Sequence, residues 1–303
     1  MADSHLPATL LSRWRDHGWC VFDRAIPAAD LEAAQSALTL LFPTAQEMEA
    51  GRDDERTAPW RTWDAAWPEF PFRSTRLNTL VVHDVLIDLA QELLDTPDVR
   101  LYLALLSAKY PHQSSGYNQL LHTDYPNHSL VVPRDDHGYR HLETFIYLND
   151  VSARNGATRL VSRTKTQDIP VEQHTLNLDD YGHLYDEPGL ASAPAGSIVA
   201  YSPDVYHRSV DVTESGQARF MLHVAYRPAE LEWVGYQAWP IKGFSPEWHK
   251  FVAQASVRQL TVLGFPKPGH PYWTEATLSG VAARYPGLDM SPWTAGAREE
   301  TPT

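Results

Sequence analysis

The sequence has little cysteine and no long apolar run. Cys20 is the single cysteine among 303 residues, which excludes an intrachain disulfide and is typical of proteins in the reducing cytoplasm. No apolar stretch approaches the roughly 18 residues that cross a bilayer, and the first residues lack the pattern of a secretory signal. We therefore expect a cytoplasmic protein with no membrane partner.

Positive charge is also scarce. Lysine and arginine total 25 against 38 acidic residues, giving a formal net charge of −13. Nucleic acids attract proteins through clustered cationic side chains, so no nucleic-acid partner is expected. A content of 43% hydrophobic and 21% charged residues is that of a globular chain. Composition does not separate a monomer from a homodimer.

The spacing of apolar residues divides the chain into three parts. Residues 1–97 contain two amphipathic helix patterns, PAADLEAAQSALTLLF and HDVLIDLAQELLD. Residues 98–228 hold short apolar runs such as VRLYLALLSAKY, GSIVAYS and ARFMLHVAYR, separated by turn residues. That alternation is typical of an all-β sandwich or barrel. Residues 229–303 are aromatic, and SPEWHKFVAQASVRQLTVLGF predicts one helix that ends near Gly264. Without a repeat or a linker, residues 1–303 are predicted to form one domain.

The stretch QLLHTDYPNHS places His122 and Asp124 two residues apart. A strand directs residues i and i+2 to one face, so these two side chains can hold one ion, although such a pair also arises by chance among 14 histidines. Two histidines and one carboxylate are the ligand set of many non-heme iron(II) enzymes. The second histidine must come from a distant strand, and His207, just after the run GSIVAYS, is the best candidate.

Arg219 opens the apolar run RFMLHVAYR and alternates with Met221 and His223. An arginine that faces a cavity requires a carboxylate partner, which its planar guanidinium binds through two hydrogen bonds. A surface position at the start of the strand is the simpler alternative. His223 is predicted to line a pocket or to lie hydrogen-bonded in the core.

Other histidines compete with this assignment. His141 and Glu143 form a second His-x-carboxylate pair on a predicted strand, and spacing alone lets them replace His122 and Asp124. The remaining candidates are predicted to be solvated loop residues: His112, His128, His137, His174 and His183.

The ordered residues His122, Asp124, His207, Ser209 and Arg219 resemble the phytanoyl-CoA dioxygenase family of iron(II)- and 2-oxoglutarate-dependent oxygenases. The segments WRDHGWCVFD, AKYP, YLNDVSARNGATRLVSRTKT and AGSIVAYSPDVYHRS carry the resemblance, which extends to about Pro228. It implies a double-stranded β-helix, a jelly-roll or cupin-like barrel with flanking helices. It also implies a dioxygenase that hydroxylates an unactivated carbon of a small organic molecule, such as a secondary metabolite or an acyl compound, and releases succinate and CO2.

The resemblance also implies roles for individual residues. His122, Asp124 and His207 would bind iron(II), and Arg219, assisted by Ser209, would bind the distal carboxylate of 2-oxoglutarate, with O2 as the other co-substrate. Lys109, in the segment before the metal motif, would also contact the co-substrate. Gln119, three residues before His122, and Phe145, on the strand after the motif, are predicted from their positions to belong to the co-substrate pocket. In related halogenases a small residue replaces the carboxylate ligand, so an aspartate favours hydroxylation, while desaturation, cyclisation and epoxidation stay open.

The sequence departs from the family in two places. Val161 to Thr164 replace a Pro-Gly-Ser-His turn, and the tail after Pro228 matches no family segment. Residues 60–72, 125–141 and the tail from 229 are predicted to form the pocket and its lid. A cupin-like metal enzyme without 2-oxoglutarate and a non-catalytic jelly-roll binding protein are the alternative functions.

Overall fold

A computed structural model describes most of the chain: residues 6–51, 54–61, 67–111, 119–128, 133–134, 140–186, 189–231 and 245–294. Its strands are β1 (Trp19–Phe22), β2 (Val99–Lys109), β3 (Leu121–His122), β4 (Leu142–Tyr147), β5 (Arg159–Leu160), β6 (Thr175–Leu176), β7 (Gly189–Leu190), β8 (Ile198–Tyr201), β9 (His207–Arg208) and β10 (Arg219–Pro228). Its α-helices are α1 (Ala8–His17), α2 (Ala28–Leu41), α3 (Ala45–Glu49), α4 (Thr75–Val81), α5 (Asp84–Leu93), α6 (Tyr125–His128), α7 (Leu178–Asp186), α8 (Pro246–Gln254), α9 (Val257–Val262), α10 (Glu275–Arg284) and α11 (Ser291–Thr294). Short 3-10 helices cover Ala58–Trp60 and Arg163–Lys165.

The strands form two antiparallel sheets of five strands each. The larger sheet has the order β1-β8-β4-β10-β2, and the smaller has the order β6-β3-β9-β5-β7. In the larger sheet β10 pairs along its length with β2 and over residues 221–226 with β4, and Leu222 lies opposite Leu106 on one side and Ile146 on the other. The smaller sheet is made of strands of only two residues, and its β3 and β9 lie side by side.

Alternation along the strands gives the larger sheet two different faces. On β4, Leu142 and Ile146 pack into the core beneath the helices, whereas Phe145 and Tyr147 face the opposite side and join a separate cluster. Adjacent strand residues point to opposite faces, which accounts for this division. Because both faces are covered, every residue of β4 is buried.

Helices from both ends of the chain cover one face of the larger sheet. The pattern HDVLIDLAQELLD forms α5, where the His83 ring accepts a hydrogen bond from the Val85 amide and so caps the helix. The buried side of α5 includes Leu86, Ile87 and Leu89. From the tail, Phe251 on α8 packs edge-on against Phe70 at a centroid distance of 5.8 Å.

The structure corrects three expectations from the sequence. Strand β1 lies inside residues 1–97, which were predicted to be helical, and pairs with β8 in the larger sheet. The helix predicted across SPEWHKFVAQASVRQLTVLGF is two helices, because Ser256 caps α9 through its hydroxyl and its extended backbone breaks the run. Helices α6 and α7 also interrupt the β region. No helix among the described residues has the length and apolarity needed to cross a membrane.

Candidate active site

A cavity of about 260 Å³ opens between the two sheets, and both contribute to its walls. Its lining contains every site residue predicted from the sequence except Lys109, which lies just behind it. The lining residues are Trp67, Leu103, Leu105, Ser107, Gln119, His122, Asp124, Asn127, His128, Phe145, Thr158, Tyr201, His207, Ser209, Arg219, Met221 and His223.

Three side chains converge on one point in this cavity. His122 on β3 and His207 on β9 are direct partners in the antiparallel register, and their ring centroids lie 4.6 Å apart. The Nε2 atom of His122 lies 3.7 Å from Oδ1 of Asp124, and Nε2 of His207 lies 3.3 Å from Oδ2. One ligand atom from each residue falls within 4.8 Å of the other two, which is close enough for the three to share one metal ion.

The route by which Asp124 reaches this point differs from the prediction. The sequence placed His122 and Asp124 on one strand face, but β3 ends at His122 and Asp124 lies in the bend before α6. The backbone amides of Asp124 and Tyr125 both donate to the carbonyl of Pro203, at 2.9 and 3.1 Å. This turn, held by the chain just before His207, directs the carboxylate toward both imidazoles.

Backbone contacts orient the two imidazoles. Nδ1 of His122 lies 2.9 Å from the carbonyl oxygen of Leu120, and Nδ1 of His207 lies 3.0 Å from that of Val205. A carbonyl oxygen only accepts, so each Nδ1 carries the proton and each Nε2 keeps its lone pair in the neutral ring. Both Nε2 lone pairs are thus available to a metal ion.

The electrostatics of the three residues keep the carboxylate ionised. Burial alone would raise the pKa of Asp124, but the neighbouring His207 outweighs it and holds that pKa below its usual range. Burial lowers the pKa of His122, and the adjacent His207 lowers it further. Burial would lower the pKa of His207, but the charge of Asp124 and the hydrogen bonds to Asp124 and to the Val205 carbonyl together outweigh burial and raise that pKa. The Tyr201 hydroxyl also donates to Oδ2 of Asp124, at 2.7 Å.

Arg219 is buried at the end of the cavity, with 4% of its surface exposed. One terminal nitrogen donates to the Gly156 carbonyl and the other lies 3.3 Å from the Ser209 hydroxyl. Its Nε is buried without a hydrogen-bond acceptor, and no carboxylate of the described residues lies within ion-pair distance. A buried guanidinium without an anionic partner is costly, so this position favours an anionic ligand.

Lys109 and Gln119 complete this end of the cavity. Lys109 faces Arg219 in the register of β2 and β10, and its Nζ lies 3.2 Å from the Ser209 hydroxyl and 3.4 Å from Asp211. Burial and the charge of Arg219 lower the pKa of Lys109 to about 8, against the opposing effect of Asp211. Gln119 exchanges two hydrogen bonds with the backbone of Ser209, and so ties this residue to the chain before β3.

Apolar side chains form the remaining walls. Phe145 lies between Tyr201 and His223, at centroid distances of 5.0 and 4.9 Å. The aromatic segment 60–72 is divided: Trp67 lines the cavity, whereas Phe70 packs in the core, and 62–66 lie outside the described residues.

The other two segments predicted to form the pocket and its lid lie only partly within the described residues. From the segment 125–141, Asn127 and His128 line the cavity. Much of the rest of that segment lies outside the described residues. Residues 245–294 of the tail do not line the cavity, and residues 232–244 lie outside the described part.

The competing pair His141 and Glu143 does not replace the first set but forms a second cluster with His128. The prediction that His128 is a solvated loop residue is wrong, because α6 folds it against Tyr102 and leaves its side chain 10% exposed. Its polar sequence neighbours gave no signal of this burial. His174 and His183 are exposed, as expected, although His183 lies on α7; His112 and His137 lie outside the described residues. His223 is buried and lines the cavity, as predicted.

Two imidazoles and one carboxylate with open positions are the donor set of non-heme iron(II) oxygenases. The chain matches the phytanoyl-CoA dioxygenase (PhyH) family over residues 14–221, which is more than half of its length. A search of curated proteins gave no match. This protein therefore belongs to the phytanoyl-CoA dioxygenase family, whose members use iron(II), 2-oxoglutarate and O2, and the donor set described above fits that metal.

Solved structures share the fold at low sequence identity. The non-heme alpha ketoglutarate dependent carbocyclase SnoK from nogalamycin biosynthesis is 19% identical, covers 80% of this chain and 92% of its own, and has a TM-score of 0.56. EctD from S. alaskensis in its apoform is 16% identical, covers 79% and 84%, and has a TM-score of 0.55. HygX from Streptomyces hygroscopicus, with nickel and 2-oxoglutarate bound, is 15% identical, covers 77% and 96%, and has a TM-score of 0.53.

Proposed function

We propose that this protein is an iron(II)- and 2-oxoglutarate-dependent dioxygenase that hydroxylates an unactivated carbon of a small organic molecule. Family membership supports the class of enzyme. The observation that carries the proposal is the buried Arg219, which lacks a carboxylate partner among the described residues and shares one cavity with His122, Asp124 and His207. A cupin-like enzyme without 2-oxoglutarate has no need for a buried cation there.

In this proposal His122, Asp124 and His207 hold the iron, which when bound supplies the chemistry that couples decarboxylation of 2-oxoglutarate to oxidation of the substrate. The backbone carbonyls at Leu120 and Val205 keep the two Nε2 atoms free for the metal. Tyr201 fixes the orientation of the Asp124 carboxylate through its hydrogen bond, as outer partners of metal ligands commonly do.

Arg219, Ser209 and Lys109 are assigned to the distal carboxylate of 2-oxoglutarate. The guanidinium and the ammonium group both reach the Ser209 hydroxyl, so the three donors converge on one small region. Burial strengthens the attraction between these cations and a carboxylate, because little water screens it. Gln119 holds the backbone of Ser209 in place.

The substrate is proposed to be a secondary metabolite or an acyl compound with apolar surface. Leu103, Leu105, Phe145 and Met221 present apolar surface to the cavity, and Trp67 adds an aromatic wall. Such walls exclude water from the reacting atoms. The aspartate ligand supports hydroxylation over halogenation, since a halogenase needs that coordination position for halide.

We also propose that the fold is a double-stranded β-helix within one domain. The division is an N-terminal part (1–97) that is mainly helical and adds strand β1 to the larger sheet, a jelly-roll core (98–228) and a C-terminal extension (229–303). Two five-stranded antiparallel sheets around the cavity support the double-stranded β-helix. One hydrophobic core supports the single domain, because it includes one residue from each part: Leu38, Leu106 and Phe251.

Succinate formation tests the activity. Protein with iron(II), 2-oxoglutarate and O2 is incubated with a panel of small apolar metabolites and acyl compounds, and succinate is measured against the His207→Ala variant. A substrate yields equal amounts of succinate and of a product that is heavier than the substrate by one oxygen atom. The exposed His174→Ala variant is the matched control and retains activity. Succinate formation that is equal in wild type and His207→Ala contradicts the proposal.

A further inference from the structure

A second group of potential metal ligands lies beside the cavity and shares no residue with the first. Glu143 on β4 is fully buried, and its Oε1 lies 2.8 Å from Nε2 of His141 and 3.4 Å from Nδ1 of His128. One ligand atom from each of the three falls within 4.8 Å of the others. They come from β4, from the residue just before it and from α6, so the fold brings together residues separated in sequence.

Among the described residues, Nε2 of His141 has no hydrogen-bond partner. The residue is 3% exposed and this nitrogen is buried, yet within the described chain it makes no contact with the geometry of a hydrogen bond, despite its 2.8 Å distance from Oε1 of Glu143. A hydrogen bond requires the donor to point at its acceptor. A nitrogen and a carboxylate oxygen that are close but not aligned are arranged as two ligands of one ion are.

The charge around Glu143 favours a cation. Glu143 has no lysine or arginine within ion-pair distance among the described residues, and imidazoles surround it. A buried carboxylate needs a compensating positive charge. The rings of His128 and His141 stack beside it at a centroid distance of 5.8 Å. A divalent ion bound by these two imidazoles and the carboxylate would supply that positive charge.

Neighbouring groups fix the carboxylate from its other side. Nε2 of His223 lies 2.5 Å from Oε2 of Glu143, and the Tyr102 hydroxyl donates to Oε1 at 2.7 Å. Carboxylate ligands in metal sites are commonly oriented by such outer hydrogen bonds. Because His128 and His223 line the cavity, an ion held here borders the space assigned to the substrate.

We propose that His128, His141 and Glu143 form a second binding site for a divalent transition-metal ion, with zinc as the best-suited ion. Two imidazole nitrogens and one carboxylate oxygen are the ligands zinc accepts in sites that keep one position open. The proposal does not depend on the assignment of iron or 2-oxoglutarate to the first site.

Metal stoichiometry tests the second site. Metal-free protein is dialysed to equilibrium against zinc(II), and bound zinc is measured by mass spectrometry in wild type and variants. We expect two equivalents in wild type, one in H122A/H207A and one in H128Q/H141Q. The control H174Q/H183Q removes two exposed histidines and retains two equivalents. One equivalent in wild type that is lost in H122A/H207A and unchanged in H128Q/H141Q overturns the proposal and leaves a hydrogen-bonded polar cluster.

A spectroscopic measurement covers the case in which H128Q/H141Q fails to fold. Cobalt(II) is titrated into H122A/H207A, where the first site is absent, and its visible ligand-field absorption is followed. One saturating equivalent with strong absorption, typical of four-coordinate nitrogen and oxygen ligation, supports the site, and a featureless titration contradicts it. Since this variant lacks the proposed iron site, failure here is distinct from failure of the proposed oxygenase function.

Discussion

Replacing Arg219 by glutamine removes the guanidinium from the buried end of the cavity. Truncating one partner of a buried charge pair costs about 2–5 kcal/mol, and about 1.4 kcal/mol is a tenfold change in affinity. Lys109 still reaches the same Ser209 hydroxyl, at 3.2 Å, so some attraction remains. We therefore expect the lower part of that range, and a Kd for 2-oxoglutarate that rises roughly 30- to 300-fold.

Isothermal titration of the anaerobic iron(II) protein measures this Kd. A second titration uses a 2-oxo monocarboxylic acid, which keeps the keto acid but lacks the distal carboxylate. Wild type should strongly prefer 2-oxoglutarate, and Arg219→Gln should lose most of that preference. Arg227→Gln is the matched control, because Arg227 lies on the same strand and contacts backbone carbonyls outside the cavity.

The comparison of the two acids separates a local effect from damage to the fold. A variant that has merely lost structure binds both acids and iron more weakly, whereas loss of the specific contact weakens only 2-oxoglutarate. If folded Arg219→Gln keeps the wild-type preference for the dicarboxylate, Arg219 does not bind it and the assignment of this end of the cavity is wrong.

Three further results follow from the structure. Protonated Lys109 attracts the distal carboxylate of 2-oxoglutarate, and the pKa of Lys109 is lowered to about 8, so the affinity for 2-oxoglutarate should fall as the pH rises through that value. In Lys109→Met, binding titrations at several pH values should show a flatter dependence of this affinity on pH. An unchanged profile in the variant excludes Lys109 as its source. Tyr201→Phe removes the hydrogen-bond donor to Asp124 and should weaken metal binding about 10- to 100-fold, as measured by competition with a chelator. The control Tyr226→Phe loses a buried hydrogen bond to Val81 and should leave metal binding unchanged. Equal losses of metal affinity in the two variants refute the positioning role of Tyr201. Leu222→Ala should lower the free energy of unfolding, measured in urea, by about 2–5 kcal/mol, because the side chain is fully buried on strand β10. The control Leu40→Ala, at an 80% exposed position, should change it by less than about 0.5 kcal/mol. Similar losses of stability in the two variants contradict the assignment of Leu222 to the core.

Long apolar runs were the parts of the fold that the sequence predicted well. The runs VRLYLALLSAKY and ARFMLHVAYR form the long strands β2 and β10. Helix α2 formed where periodic apolar residues follow Pro27 and an acidic residue lies in the first turn, and α5 formed where they follow the capping residue His83. In these elements the local pattern and the tertiary packing favour the same structure.

Short strands could not be predicted in the same way. β3 and β9 contain two residues each and exist because they pair with each other, so the information lies in a contact between residues 85 positions apart (207 − 122). The strand β1, of four residues, is likewise fixed by pairing with β8. Periodicity within a few residues is too short to distinguish such strands from loops.

In the candidate site, too, some residues could be predicted from the sequence and others could not. His122, Asp124, His207 and Arg219 were predicted, because their residue types are chemically distinctive and stand in a recognisable order. Tyr201 and the burial of His128 were not predicted. Tyr201 ends an ordinary apolar strand, and His128 reaches Tyr102 only through the turn of α6, which depends on long-range contacts.

The most direct test is the visible spectrum of the anaerobic protein with iron(II) and 2-oxoglutarate. A keto acid bound to iron(II) through both oxygen atoms of its keto-acid end gives a weak visible charge-transfer band. We expect this band in wild type, its loss in His207→Ala and a higher 2-oxoglutarate requirement in Arg219→Gln. Absence of the band in wild type, with iron shown to be bound, would contradict the assignment of the cavity to 2-oxoglutarate.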